Sequence, residues 1–287
     1  MKDLIVNLCP HGLLQWLRIQ RSKRWIDRAR SLHTERYQRI NDESIINAQN
    51  SNHIRGDDWH ATTQFLADLG LPKDQIIEGS ISETSLKFIS TVLRQTLNNN
   101  LPLLGLHIGN FVGVSLAHIT ASAVQIHPDS LVIAIDPNLT HRGIKNPQNY
   151  VLQLLQACDL SNKVLPLAAY SGEKSISNDG FVFGNYDPTT HFQLEAASSN
   201  AIQNLTKLFT SKCDFVLMDG NHQADYLVKE IHNVKPLLKP GGLVILDDIN
   251  MVWEEIRSIF LNISSLGLAP LADDGRVGIA IASDKAQ

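Results

Sequence analysis

Residues 214–248 read DFVLMDGNHQADYLVKEIHNVKPLLKPGGLVILDD. The apolar run Phe215 to Met218 ends in Asp219 and a helical segment follows. Pro240-Gly241-Gly242 is expected to break that helix, after which a second apolar run, Leu243 to Leu246, ends in Asp247-Asp248. The pattern is strand, helix, turn, strand. In an open α/β sheet, ligands bind in the crevice beyond the carboxyl ends of the strands, so Asp219, His222, Asp247 and Asp248 are brought to one rim. Three acids and a histidine there point to chemistry.

Two upstream stretches extend the pattern. Leu103 to Ser115, LLGLHIGNFVGVS, reads as a buried strand turning through glycine into a helix. Gly109 lets the chain turn tightly, and Gly113 lets a helix or a ligand approach without a Cβ in the way. The dinucleotide fingerprint G-x-G-x-x-G is not met, because Phe111 and Val114 stand at its second and third glycine positions. Ser130 to Pro137, SLVIAIDP, ends its apolar run in Asp136, where an acid can accept hydrogen bonds from ribose hydroxyls. A third strand, Val164 to Ala168, leads into Tyr170-Ser171-Gly172.

The DG-x-H at Asp219 to His222, the LLKPGG before the last apolar run and the paired acids after it resemble class I S-adenosylmethionine-dependent methyltransferases. Within that class they look like the metal-dependent sugar and macrolide O-methyltransferases and the cephalosporin-hydroxylase-like group. The resemblance implies an α/β fold: a Rossmann-like, doubly wound seven-stranded sheet with a C-terminal antiparallel hairpin. It also implies a cofactor loop holding the methionine end of S-adenosyl-L-methionine, drawn here from His107, Gly109, Asn110, Phe111, Gly113 and Ser115. Asp136 would then take the ribose and Ser171 the adenine, with Asp219 also at the cofactor. Asp219, Asp247 and Asp248 would hold Mg²⁺ or another divalent cation, and His222 would be the catalytic base. One position departs from the family, which usually carries an acid where His107 stands. A neutral imidazole accepts one hydrogen bond but offers no fixed negative charge to the cofactor's ammonium. The implied activity is O-methyl transfer to a small-molecule or saccharide hydroxyl.

Plainer readings stand beside these. An aspartate at a strand end often caps the next helix, a histidine in a first helical turn is often a surface residue, and two glycines can serve helix packing alone. A non-catalytic methyltransferase-like binding or scaffold protein and a nicotinamide-dependent oxidoreductase remain as alternatives. The other histidines form no HExxH pair, so no zinc site is expected.

The 287 residues, 43% apolar and 19% charged, suffice for a substantial core. Three scattered cysteines without a C-x-x-C argue for a reducing compartment. No apolar run approaches the length of a membrane span or a signal peptide, so a cytoplasmic location is expected. Charge is uneven: residues 1–40 carry nine Lys/Arg against three Asp/Glu, in a chain of formal net charge −4. The basic segment at residues 18–39 reads as a solvated helix face covering the core or a dimer partner. Alternatively it is a surface for anionic saccharides or for peripheral membrane association. Nucleic acid is not expected, because the acidic remainder repels phosphates. The chain divides by this reading into an N-terminal helical extension or lid, residues 1–75, and a cofactor-binding domain, residues 76–287. Ser80 with Glu83 reads as a capping box opening a helix, and the long loop up to Phe192 as a substrate-contacting loop.

Overall fold

The computed structural model describes residue 20 and residues 53–97, 100–139, 141–172, 200–208, 210–250 and 253–282. The rest of residues 1–52, with the basic segment apart from residue 20, and the substrate-contacting loop from residue 173 to 192 lie outside the described residues.

Strands β1 (Leu104–Ile108), β2 (Leu131–Asp136), β3 (Val164–Ala168), β4 (Cys213–Met218), β5 (Leu238–Leu246), β6 (Leu268–Asp273) and β7 (Gly278–Ala282) form one seven-stranded sheet. Its order is β3-β2-β1-β4-β5-β7-β6. The first five strands pair in parallel, β7 runs antiparallel to β5, and β6 antiparallel to β7. The doubly wound sheet and its terminal hairpin are therefore as expected. The order turns back at β1, so the connections that follow β1 and β4 run toward opposite edges and leave a crevice above the carboxyl ends of these two strands, as such switch points do.

One face is covered by α1 (Trp59–Asp68), α2 (Lys73–Glu78), α3 (Glu83–Thr96), α4 (Val114–Ile126) and α5 (Pro147–Ala157). Leu66, Ile76, Leu86, Leu116 and Leu154 from these helices pack with Phe215, Leu217 and Ile245 of the sheet. The other face is covered by α6 (Ala201–Leu208), α7 (Ala224–Val234) and α8 (Glu254–Leu261), through Ile202, Ile231 and Phe260 against Leu106, Ile133 and Val216. Each central strand thus sends alternate side chains into two apolar layers, which is why its sequence reads as an unbroken apolar run.

Three details differ from the sequence expectation. The cap of α3 is Ser82, whose hydroxyl accepts from the Ser85 amide, and not Ser80. Helix α7 ends at Val234, and the next residues, Lys235–Leu237, form a 3₁₀ turn containing Pro236, which has no N–H for an α-helical bond. Pro240-Gly241-Gly242 therefore does not end the helix; it lies inside β5. Between the pairs Cys213↔Leu238 and Phe215↔Leu243, β4 advances two residues and β5 five, so the Pro-Gly-Gly is a bulge. Lys239 Nζ pins it to Asp214 Oδ1 at 2.7 Å, while Asp214 Oδ2 accepts from the Leu104 amide at 2.8 Å.

Candidate active site

The crevice above β1, β2 and β4 holds a cavity of about 380 Å³. Backbone bonds tie its floor together: Gly109 N donates to Ile135 O at 2.9 Å, Asp219 N to Ile108 O at 2.8 Å and Asp247 N to Met218 O at 3.1 Å. Gly109 has φ +83°, and a Cβ there would run into the Asp219 carbonyl. Glycine is therefore required where the chain leaves β1. Gly113, which begins α4, brings that helix against the Val151 backbone of α5, so its open side faces a helix and not the cavity.

Of the residues singled out in the sequence, Gly109, Phe111, Asp136, Ser171, Asp219, His222, Asp247 and Asp248 line the cavity. His107, Asn110, Gly113 and Ser115 stand behind it. His107 is fully buried, and only Asn110 offers its ring a polar neighbour, outside hydrogen-bond geometry. It pairs in register with Ala134 and Leu217, whose side chains belong to the larger apolar cluster, so strand alternation turns the imidazole into the core. Burial pushes its pKa down to about 4.

Asp136 holds the glycine loop. Its Oδ2 accepts from the amides of Asn110 at 2.7 Å and Phe111 at 3.3 Å, and its Oδ1 from the Asn138 amide at 2.7 Å. Burial raises its pKa against the lowering pull of these amides. Ser171 sits in a second network: its hydroxyl donates to Glu230, stands 3.0 Å from the Tyr226 hydroxyl, and Gly172 N donates to that hydroxyl at 3.1 Å.

The three acids do converge with His222. Arg276 closes on Asp247 with two parallel bonds, Nε to Oδ1 at 3.1 Å and Nη2 to Oδ2 at 3.0 Å, and its Nε lies 3.7 Å from Asp248 Oδ1. His222 Nε2 lies 3.0 Å from Asp248 Oδ2, and its ring stacks on Trp253 with centroids 4.8 Å apart. Asp248 has φ +58°, a left-handed backbone at the site's rim. Burial raises the Asp219 carboxyl well above the usual carboxylate range, and the nearby charges of Asp247 and Asp248 raise it further. Burial also raises Asp247 against the pull of Arg276, whereas contact with His222 and Arg276 overcomes burial and holds Asp248 below the usual range. The ligand-free cluster therefore favours a proton on Asp219 and a charged Asp248.

A divalent cation does not fit these donors as placed. Both oxygens of Asp247 face a guanidinium, whose positive charge repels a cation, and among the described residues no group of three or more His, Cys, Asp or Glu has the placement to hold an ion. Arg276, Glu230, Tyr226 and Trp253 are absent from the sequence reading. Arg276 sits in a hairpin turn, Tyr226 and Glu230 lie on a helix whose amphipathic spacing shows no motif, and Trp253 sits just before α8, so nothing local marked them.

Residues 106–249 match a family described as a methyltransferase domain. The chain belongs to this methyltransferase family. The matched stretch runs from β1 through β5 and contains Asp136, Asp219, His222, Asp247 and Asp248, while Glu78, Trp253 and Arg276 lie outside it. Comparison with curated proteins gives no match. Among solved structures, the O-methyltransferase from Bacillus cereus in complex with SAH is 13% identical, with a TM-score of 0.50 over 78% of this chain and 90% of that one. The cofactor-bound Rv0187 from MTB is 13% identical, with a TM-score of 0.51 over 84% and 97%. The SAH-bound Podospora anserina methyltransferase PaMTH1 is 13% identical, with a TM-score of 0.50 over 85% and 97%. At these identities the likeness is one of fold. Among the described residues of this methyltransferase, no helix is long and apolar enough to cross a membrane.

Proposed function

We propose that this methyltransferase uses S-adenosyl-L-methionine to methylate a hydroxyl of a small molecule or saccharide, with His222 as general base. The observation that carries the reading is one cavity with Asp136 on one wall and the His222–Asp248 pair on another. The cofactor fits the residues present. Gly109 lines the cavity, and a carboxylate offers about four lone-pair sites. Three of those on Asp136 are used by loop amides, which leaves capacity for a ribose hydroxyl.

When bound, the cofactor supplies an electrophilic methyl group and a thioether leaving group. His222 accepts the proton that the acceptor hydroxyl loses as the new O–CH₃ bond forms. Asp248 orients the imidazole and balances the positive charge it gains; Trp253 fixes the plane of the ring. Arg276 neutralises Asp247, so the base faces less negative charge than three ionised carboxylates would impose.

His222→Ala is expected to bind S-adenosylhomocysteine as the parent does but to lose about a hundredfold in turnover, the usual contribution of a positioned base. Unchanged turnover in that variant would remove the base from the mechanism. A second reading, with Mg²⁺ or another divalent cation, is favoured only by the excess of carboxylates over Arg276 in the cluster. Loss of turnover in chelator with recovery on adding Mg²⁺ would select it; turnover retained in chelator selects the His222–Arg276 arrangement. Absence of heat on titration with NADH is expected, in keeping with the unmet glycine fingerprint.

A further inference from the structure

The carboxylates lining the cavity are occupied by groups of the site itself, except for one at its mouth. Asp136 accepts loop amides, Asp219, Asp247 and Asp248 share Arg276 and His222, and Glu230 takes the Ser171 hydroxyl. Glu78, the last residue of α2, instead accepts from Arg142 Nη1 at 3.0 Å, and both side chains line the cavity. Their side chains are 61% and 34% exposed, so water screens the pair and little holds it shut. The next residue, Gly79, packs on the Phe111 ring so closely that a Cβ would overlap it, and Phe111 meets His141 edge-on at 5.3 Å. Glu78 and Arg142 are thus fixed beside the tip of the loop that turns at Gly109.

Position 107 gives this pair its significance. His107 is neutral, wholly buried and turned away from the cavity, so β1 presents no negative charge to an ammonium. The amino-acid end of S-adenosylmethionine is a zwitterion, with an ammonium and a carboxylate on one carbon. Resting on the cofactor reading above, we propose that Glu78 and Arg142 form the clamp for that end. The Glu78 carboxylate accepts from the ammonium, and the Arg142 guanidinium donates to the carboxylate. Inserting a zwitterion between two screened, opposite charges leaves every charge paired, and a guanidinium matches a carboxylate in two-bond geometry. Glu78 lies outside the stretch that matches the family, so the clamp joins this chain's N-terminal helices to the family's own fold.

The test is calorimetric titration of the full chain, Glu78→Gln and Arg142→Gln with two ligands. S-adenosylhomocysteine carries the amino-acid end; 5′-methylthioadenosine keeps base, ribose and thioether but lacks it. Each variant is expected to bind S-adenosylhomocysteine about tenfold or more weakly, the loss of a charge-assisted contact. Affinity for 5′-methylthioadenosine is expected to stay at the parent's value. Unchanged affinity for S-adenosylhomocysteine in both variants overturns the clamp, and so does an equal loss for both ligands, which would mark a structural role. A parent chain that binds neither ligand overturns the cofactor reading itself.

Discussion

The Asp136 carboxylate both lines the cavity and holds the loop that turns at Gly109. Asp136 is recognisable as an acid ending an apolar run, but its three backbone amides are visible only once the glycine loop is folded around it. Asp136→Ala should therefore do more than lose a ribose contact. It leaves part-buried amides unpaired, at about 1 kcal/mol for each, the low end of the cost of an unsatisfied group. Thermal melts are expected to show lower stability for the alanine variant, with Asp136→Asn less affected because it keeps an acceptor oxygen; equal melting for parent and alanine would refute the loop-holding role. His107 shows the reverse. Its chemistry suggested a cofactor contact, while the strand register sets it beside Ala134 and Leu217. Its folded pKa lies near 4, below the ordinary 6.5, so the unfolded chain takes up the proton first. Stability is then lost as pH falls from about 6.5 toward about 4, by about 3 kcal/mol in all. His118 acts with the same sign but is common to parent and variant. His107→Leu should flatten the parent's decline across that window, measured by denaturant unfolding at a series of pH values. An identical pH dependence would show that His107 is not the group titrating.

At the scale of elements, strand runs ending in acids were readable because parallel strands buried on both faces leave no alternation to obscure their ends. What joins the elements was less readable. The Pro-Gly-Gly looked like a stop, yet β5 carries on through it as a bulge, and Pro236 ends the helix earlier. The hairpin β6–β7 was legible as a hairpin but not as part of the site. Its turn delivers Arg276 to Asp247, whose side chain is only 2% exposed. Arg276→Met should strand that carboxylate, and breaking one partner of a buried pair costs about 3–5 kcal/mol, here at the lower end because Arg276 is part-exposed. Adding Asp247→Asn should recover much of the loss, since the uncompensated charge is then gone. Chemical denaturation of the four proteins in that cycle measures the coupling. Additive losses would mean that the Asp247–Arg276 pair adds nothing to the strand pairing between the hairpin and β5, and that Arg276 is a bystander.

For the whole molecule, the alternation of strands and helices fixes the topology, and the topology fixes where a ligand can enter. The acid cluster, the glycine loop and the mouth formed by Glu78 and Arg142 come from segments distant in sequence, meeting above the carboxyl ends of β1 and β4. A ligand in that crevice touches residues following β1, β2 and β4, so its binding energy should appear as stability of the entire sheet. S-adenosylhomocysteine at a hundred times its dissociation constant should stabilise the folded chain by about 2.7 kcal/mol. At about 2–4 °C per kcal/mol for a domain of this size, that corresponds to a rise in melting temperature of about 5–10 °C. The shift should persist in chelator, because Asp136, Glu78 and Arg142, the residues assigned to the cofactor, need no metal ion to bind it, and it should be absent with NADH. Turnover in chelator would then report on the acid cluster alone. A melting shift that required Mg²⁺ would place a cation between the carboxylates and the cofactor, with Arg276 displaced from Asp247. The pairing of Asp247 with Arg276 predicts instead a shift indifferent to the metal.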